Sequence, residues 1–239
     1  MNNKLIMIFG IRRSGLHLTA NFFAEQFAEP VHILNNQSIT QFVQAETSGV
    51  DGKLESVNAR VIIFEEQPSA LIDIPVVHGY FKNLLGTYKE IHRILLLRDL
   101  FNLFASRVHH YPEYISVNRT WIKKDFVQKD WLKYAERYLT PEGVIPVSYN
   151  KLITDLEYRK SLSKAVNGDT YSEKSLFKVD PNGGGSSFTG TATPNTDRVL
   201  TQYRHYSDLK VFQDLFEPEY HKLSKQIFDL DVNFNDEGH

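Results

Sequence analysis

Residues 4–27, KLIMIFGIRRSGLHLTANFFAEQF, decide the fold of this chain. Their apolar run, Leu5 to Phe9, stops at Gly10 and is typical of a strand that is buried on both faces. From Leu16 onward the apolar residues recur at helical spacing. A strand, a turn containing glycine and a helix start together form a cradle, in which backbone N–H groups and the helix N-terminus can bind an anion such as phosphate.

The turn at 10–15 has the Gly-x-x-x-x-Gly spacing of an ATP-type phosphate loop, but the residues after it do not fit that loop. Leu16 and His17 stand where an ATP-type loop has Lys and Ser or Thr, so the hydroxyl that binds Mg²⁺ is missing from its usual place. The positive charge lies inside the turn instead, on Arg12 and Arg13. We therefore predict a site for a phosphate or sulfate group that is handled without a metal.

A second buried-strand pattern, at 94–97, ends at Arg98-Asp99 and leads into a stretch with helical apolar spacing. Ser106 and Arg107 lie about two helical turns beyond Arg98, within reach of one anion. An arginine at a strand end can bind a phosphate through two N–H groups, and a serine hydroxyl can add a further hydrogen bond. Arg98 could also be an ion-pair partner of Asp99 or of a nearby glutamate, so both interpretations stay open at this point.

These two segments resemble the sulfotransferases that use 3′-phosphoadenosine-5′-phosphosulfate (PAPS). In that family a strand, a loop and a helix containing Lys/Arg-Ser-Gly hold the 5′-phosphosulfate, and Arg13-Ser14-Gly15 matches this motif. An Arg with a Ser eight residues later holds the 3′-phosphate, and Arg98 and Ser106 match this pair. The matching segments follow one another in the family's order over most of the chain.

Further matches extend the resemblance toward the C-terminus. The family's catalytic His, near the end of a strand, corresponds to His78 in IPVVHGYFK. A late strand that ends in Tyr-x-x-Leu corresponds to 144–152, VIPVSYNKL, which contains Tyr149. A glycine-rich segment that closes over the nucleotide corresponds to 182–188, NGGGSSF.

The resemblance implies an activity and a set of site residues. A sulfuryl group would pass from PAPS to a hydroxyl or amine of a small-molecule or carbohydrate acceptor, and no metal would be required. His78 would act as the general base, and Arg13 would stabilise charge on the leaving phosphate. The residues implied to contact the nucleotide are Arg12, Arg13, Ser14, Gly15, Leu16, His17, Arg98, Ser106, Tyr149, Gly183, Gly184, Gly185, Ser186 and Ser187.

The order of the elements predicts the fold class. Apolar strands alternate with helices, which is typical of an α/β protein with three layers, α/β/α, around a central parallel sheet of the P-loop nucleotide-binding type. Ligands in such folds bind at the C-terminal ends of the strands, where Gly10, His78 and Arg98 fall. Strands are predicted at 5–9, 61–65, 74–78, 93–97 and 143–147, and helices at 14–28, 80–90, 100–110, 119–138, 151–166 and 206–229.

The composition is that of an ordinary enzyme domain. The 239 residues can bury one sizeable core, 41% of them are hydrophobic, and a net charge of −2 gives no signature of nucleic-acid binding. The sequence has no cysteine and no apolar run of membrane-spanning length, and the first strand pattern leaves no room for a signal peptide. We therefore predict one cytoplasmic domain, 1–239, with a polar surface insertion at 35–58 and a glycine-rich nucleotide-covering loop at 180–197.

Two other classes of function stay open. Glu65 and Glu66 follow a strand and could bind Mg²⁺, which would make the chain a P-loop nucleotide-dependent kinase. The same scaffold could also belong to a catalytically silent nucleotide-binding protein, and a predicted base that points away from the cleft would favour this. Contacts with a ligand also stay open for three other histidines, His17, His109 and His110.

Overall fold

The computed structural model describes residues 4–28, 31–34, 59–65, 88–110, 122–177 and 196–234. Within these ranges a parallel sheet carries helices on both faces, which confirms the predicted α/β/α class. The strands of the described part are β1 Lys4–Gly10, β2 Val31–Leu34, β3 Ala59–Glu65, β4 Glu90–Leu97 and β5 Ile145–Ser148. Their order across the sheet is β2-β3-β1-β4-β5.

The described helices are α1 Leu16–Ala24, α2 Leu100–His110, α3 Ile122–Leu139, α4 Tyr149–Thr154, α5 Leu156–Ala165, α6 Thr196–Leu200, α7 Lys210–Gln213 and α8 Pro218–Phe228. Short 3₁₀ helices are formed by Lys174–Phe177 and Gln202–Tyr206. None of the helices in the described ranges combines the length and the apolar composition that a membrane crossing needs.

Strand β1 lies in the middle of the sheet and is buried along its whole length. Ile6 and Ile8 on one face pack into a core shared with α1, while Met7 on the other face joins a core shared with α2 and α3. Each fully buried aliphatic side chain of this kind contributes about 1.5–3 kcal/mol through the hydrophobic effect. Because both faces of β1 pack on apolar cores, its sequence is a continuous apolar run.

The parallel arrangement brings the predicted site segments to one edge of the sheet. Gly10, the last residue of β1, pairs with Glu65 on β3. Arg98 directly follows β4 on the other side of β1, and Tyr149 directly follows β5 beyond it. The C-terminal ends of these strands therefore form the edge at which ligands bind in folds of this type.

Two predicted helices are each divided in the structure. The prediction of one helix over 206–229 is wrong, because Glu217 is extended and Pro218 starts α8. A proline lacks the N–H that a continuing helix needs, and it disfavours helical geometry in the residue before it. The helix predicted over 151–166 is divided at Asp155, whose side chain accepts a hydrogen bond from the N–H of Tyr158 and caps α5.

The other predicted elements differ from the described structure or lie partly outside the described residues. The short edge strand β2 was not predicted, and the helix predicted over 80–90 extends into the start of β4 at Glu90. The strand predicted at 74–78 and the polar insertion at 35–58 lie outside the described residues, as do residues 180–195 of the glycine-rich loop.

The pH dependence of stability follows from a partly buried histidine on β4, His92. Burial lowers the pKa of His92, although Glu90 at 3.5 Å raises that pKa in part and Lys4 lowers it further. Below about pH 6.5, the usual pKa of histidine, the unfolded chain takes up a proton that folded His92 binds less readily. We therefore expect the free energy of unfolding to fall from about pH 7 to about pH 5, and to fall less in His92→Gln. Urea denaturation at a series of pH values measures this, and an unchanged slope in the variant would contradict it.

Candidate anion-binding site

The connection from β1 to α1 is a tight turn with left-handed backbone at two residues. The N–H of Ser14 donates to the carbonyl of Ile11 at 3.0 Å, which closes the turn. Arg13 has φ 76° and Gly15 has φ 95°. Glycine adopts this geometry freely, whereas a residue with a Cβ atom loses roughly 1–2 kcal/mol in it. The surroundings of Arg13 must therefore hold its backbone in place.

Residues of the second predicted segment contact this turn directly. Arg98 donates from Nη1 to the carbonyl of Arg13 at 3.0 Å, and Arg107 donates from Nη1 to the carbonyl of Arg12 at 3.3 Å. The side chain of Arg13 donates from Nε to the hydroxyl of Ser106 at 3.4 Å. The structure thus brings together two segments that the sequence separates by more than eighty residues.

The guanidinium group of Arg98 is only 4% exposed and is bound by neutral oxygens. Its Nη2 donates to the carbonyl of Val199 at 3.0 Å and to Oε1 of Gln202 at 2.9 Å. Its Cζ atom lies 5.0 Å from the centre of the Tyr149 ring, at the distance of a cation–π contact. Nε of Arg98 is buried and has no hydrogen-bond partner among the described residues, so this N–H is not already committed to one of their acceptors.

The neighbouring Asp99 is fully buried and is bound by amide groups. Its Oδ1 accepts from the backbone N–H of Asn102 at 2.9 Å, and its Oδ2 accepts from Nδ2 of Asn150 at 2.9 Å. Asn102 in turn donates to the carbonyl of Leu200 at 2.8 Å and accepts from the N–H of Tyr203 at 3.2 Å. This network joins the starts of α2 and α4 to the segment that contains α6, so the surroundings of Arg98 are fixed from several sides.

The turn is also closely packed against Tyr149, the first residue of α4. A Cβ atom on Gly15 would lie 2.1 Å from Cε2 of Tyr149, so only glycine fits there. Burial raises the pKa of the Tyr149 hydroxyl, because it disfavours the phenolate. A Cβ atom on Gly10 would lie 2.7 Å from Leu16 and 3.0 Å from Oγ of Ser14. Gly15 is therefore required by its φ angle and by the Tyr149 ring, whereas a Cβ atom at position 10 would make the side chain of Leu16 shift.

Two features of the turn suit an anion. The hydroxyl of Ser14, a residue only 1% exposed, has no hydrogen-bond partner among the described residues. The N-cap residue of α1, Gly15, offers no side chain to the first N–H groups, and the first helical turn, Leu16–Thr19, contains no acidic residue. The positive end of the helix, a buried hydroxyl and two arginines thus belong to one turn, and these are the types of donor that bind a phosphate or sulfate group.

The remaining predicted site residues lie in different surroundings. The side chain of Leu16 is buried in the core, so Leu16 would contact an anion through its backbone N–H. His17 is half-buried in the first turn of α1. His109 has Nδ1 3.3 Å from the hydroxyl of Tyr206, and His110 is exposed at the end of α2. Outside the described residues lie His78, Glu66, Gly183, Gly184, Gly185, Ser186 and Ser187.

The prediction from sequence missed Asn102, Asn150 and Gln202, which hold Asp99 and Arg98. A local signal existed for Asn102, because an aspartate three residues earlier at a helix start is a capping pattern. No local signal existed for Gln202, whose contact with Arg98 spans 104 residues of the chain. Among the described residues, no group of three or more His, Cys, Asp or Glu side chains is arranged to hold a metal ion.

The comparisons with known proteins give structural similarity only. No family model and no curated protein matches the chain. The chain is similar to the crystal structure of mouse sulfotransferase SULT7A1 complexed with PAP, with 14% identity and a TM-score of 0.47 over 98% of this chain and 88% of that one. It is also similar to the sulfotransferase domain from the curacin biosynthetic pathway, with 12% identity and a TM-score of 0.45 over 97% of this chain and 99% of that one. Both are sulfotransferases, and at these values the likeness assigns no role to any residue here.

The packing of Gly15 leads to a prediction about the turn. Gly15→Ala should destabilise the protein by about 2–4 kcal/mol, because it adds left-handed strain and a clash with the Tyr149 ring. The matched control is Gly143→Ala, which introduces a Cβ atom at another left-handed glycine, φ 67°, away from the turn and should cost about 1 kcal/mol. Chemical denaturation measures both variants. Equal losses would show that the Tyr149 ring does not restrict position 15.

Proposed function

We propose that this protein is a sulfotransferase that moves a sulfuryl group from PAPS to a hydroxyl or amine of a small-molecule or carbohydrate acceptor. The observation that carries the proposal is the turn at 11–15 beside Arg98 and Ser106. Two arginines meet there with a helix start that no side chain caps and with the hydroxyl of Ser14, which has no partner among the described residues. This donor set fits the two anionic ends of a bisphosphorylated nucleotide.

The residues of the turn would hold the 5′ end of the donor. Its contacts would be the N–H groups at the start of α1, the hydroxyl of Ser14 and the side chains of Arg12 and Arg13. Arg98 and Ser106 would hold the 3′-phosphate. Arg98 would use its buried Nε or exchange one of its protein acceptors for the phosphate. Tyr149, under the Arg98 guanidinium, would pack beside the adenine.

Sulfuryl transfer requires that the protein position the donor and the acceptor and stabilise the charge that develops on the leaving group. When bound, the donor supplies the sulfuryl group and a bisphosphate leaving group. Arg13 would stabilise the charge that develops on the leaving phosphate, and its contact with the Ser106 hydroxyl would orient its guanidinium group. His78, which lies outside the described residues, would take the proton of the acceptor hydroxyl or amine. No metal would be needed, because the arginines and the helix end provide the positive charge.

The glycine-rich segment, whose residues 183–187 lie outside the described residues, would cover the nucleotide and exclude water. Such exclusion would prevent the donor from being lost to hydrolysis. The segment is followed by α6, whose Val199 carbonyl accepts from Arg98 and whose Leu200 carbonyl accepts from Asn102. This anchor would keep the covering segment close to the 3′-phosphate site.

The 3′-phosphate assignment predicts a preference among nucleotides. We expect 3′,5′-adenosine bisphosphate to bind without added metal and more tightly than 5′-AMP. In Arg98→Ala the preference should nearly vanish, because loss of one partner of a buried charge pair typically costs about 2–5 kcal/mol. Calorimetry with both nucleotides, and with ATP and Mg²⁺, measures the preference.

The ratio of the two affinities separates recognition of the 3′-phosphate from the structural contacts of Arg98. A matched control is Arg159→Ala, which removes another buried arginine that donates to a backbone carbonyl, that of Leu152 at 3.1 Å. This control should lower stability and leave the ratio unchanged. Equal affinity of the wild-type protein for both nucleotides would reject the 3′-phosphate site, and tight Mg²⁺-dependent ATP binding would favour a kinase.

The proposed base predicts a separation of binding from catalysis. His78→Ala should bind 3′,5′-adenosine bisphosphate with nearly normal affinity but lose about 10²–10⁴-fold in transfer rate, because a general base acts in the transition state. Sulfate transfer from PAPS to a panel of hydroxyl and amine acceptors measures the rate, and calorimetry measures binding. Wild-type turnover in this variant would remove His78 from the mechanism, and failure of the wild-type protein to transfer sulfate would favour a silent nucleotide-binding protein.

A further inference from the structure

We propose that Arg107 is a positioning residue of the anion-binding turn: together with Arg98 it holds the two peptide groups on either side of Arg13 and so maintains the left-handed backbone at that residue. The proposal rests on the proposed function, because it assigns to Arg107 the task of keeping the turn in the shape that binds the nucleotide. Arg107 itself would not contact the nucleotide.

The geometry of the turn defines this task. The φ and ψ angles of Arg13 are set by the orientations of the peptide group before it and the peptide group after it. The carbonyl of the first group, on Arg12, accepts from Arg107 at 3.3 Å, and the carbonyl of the second, on Arg13 itself, accepts from Arg98 at 3.0 Å. Each of the two peptide groups that determine the left-handed conformation is therefore held by one guanidinium group.

Both arginines are suited to hold a backbone in place. Arg107 is 5% exposed and Arg98 is 4% exposed, so water competes little for the two carbonyl groups. Arg107 lies on the rigid helix α2 and Arg98 directly follows β4, so the two donors come from the sheet and from the helix layer. The carbonyl oxygens that they bind point toward the protein, and the N–H of a trans peptide points away from its carbonyl oxygen. The N–H of Arg13 therefore points away from Arg107.

The test compares Arg107→Ala in two backgrounds. The first is the wild-type chain, and the second is Arg13→Gly, which keeps both carbonyl groups and adopts left-handed backbone without strain. Because Arg13→Gly also removes a side chain proposed to contact the nucleotide, each effect of Arg107→Ala is measured relative to its own background. Hydrogen exchange of the amides at 12–17 in the ligand-free protein reports the turn, and calorimetry with 3′,5′-adenosine bisphosphate reports binding. Arg159→Ala serves as the control for loss of a buried arginine that donates to a carbonyl elsewhere.

We expect Arg107→Ala in the wild-type background to speed exchange at 12–17 and to weaken nucleotide binding, each by about 10-fold. In the Arg13→Gly background both effects of Arg107→Ala should fall below about 3-fold, because glycine needs no support there. Arg159→Ala should change both readouts by less than about 2-fold while lowering thermal stability. Arg107→Lys keeps the charge and most of the stem, and should give smaller changes in the same direction, so it replaces Arg107→Ala if that variant does not fold.

Other results would overturn the proposal in distinguishable ways. Equal losses of binding in both backgrounds would mean that Arg107 acts on the nucleotide directly, and unchanged exchange at 12–17 would mean that the turn keeps its shape without Arg107. If the wild-type protein does not bind 3′,5′-adenosine bisphosphate, the proposed function fails. The exchange measurements alone then decide whether Arg107 supports the turn.

Discussion

The central position of β1 is the constraint on which the rest of the structure depends. This strand is hydrogen-bonded to β3 on one side and to β4 on the other, and all of its residues are buried. Its chain can therefore turn only beyond the edge of the sheet, directly after Gly10. Since its neighbours run parallel to it, they end at the same edge. The turn at 11–15 and Arg98 lie there because of this arrangement, whatever ligand the site binds.

Burial of charge gives this edge its rigidity. A guanidinium and a carboxylate that leave water need hydrogen-bond partners, and without them each costs several kcal/mol. Arg98 finds its partners on the turn and on the segment at 199–202, while Asp99 finds them on Asn102 and Asn150. The same contacts that satisfy the buried charges join four segments that are distant in the sequence. Loss of Arg98 is therefore expected to affect both the fold and any anion bound beside it.

The local pattern predicted the elements that need only local information. The strand at 5–9 and the helix at 100–110 agree with the structure within one or two residues. A strand that is buried on both faces is a continuous apolar run, and a helix that packs on a core has apolar residues at helical spacing, so each pattern can be recognised locally. Pro218 also signals a break in the last predicted helix, but the prediction followed the apolar periodicity across it and gave one helix. The short strand β2 could not be predicted in this way, because four residues carry too little periodicity and its pairing depends on β3.

The sequence by itself determined the α/β class, the turn between strand and helix, and the residue types of an anion site, because each follows from spacing along a few adjacent residues. Only the tertiary structure decided which side chains contact which backbone and side-chain partners at the site. It brought Arg107 to the carbonyl of Arg12, Gln202 to Arg98, and the Tyr149 ring to Gly15. These contacts cross long stretches of chain, and their geometry depends on how helices and sheet pack. The spacing of residues along one segment carries no information about that packing, so the three-dimensional arrangement was needed to assign these partners.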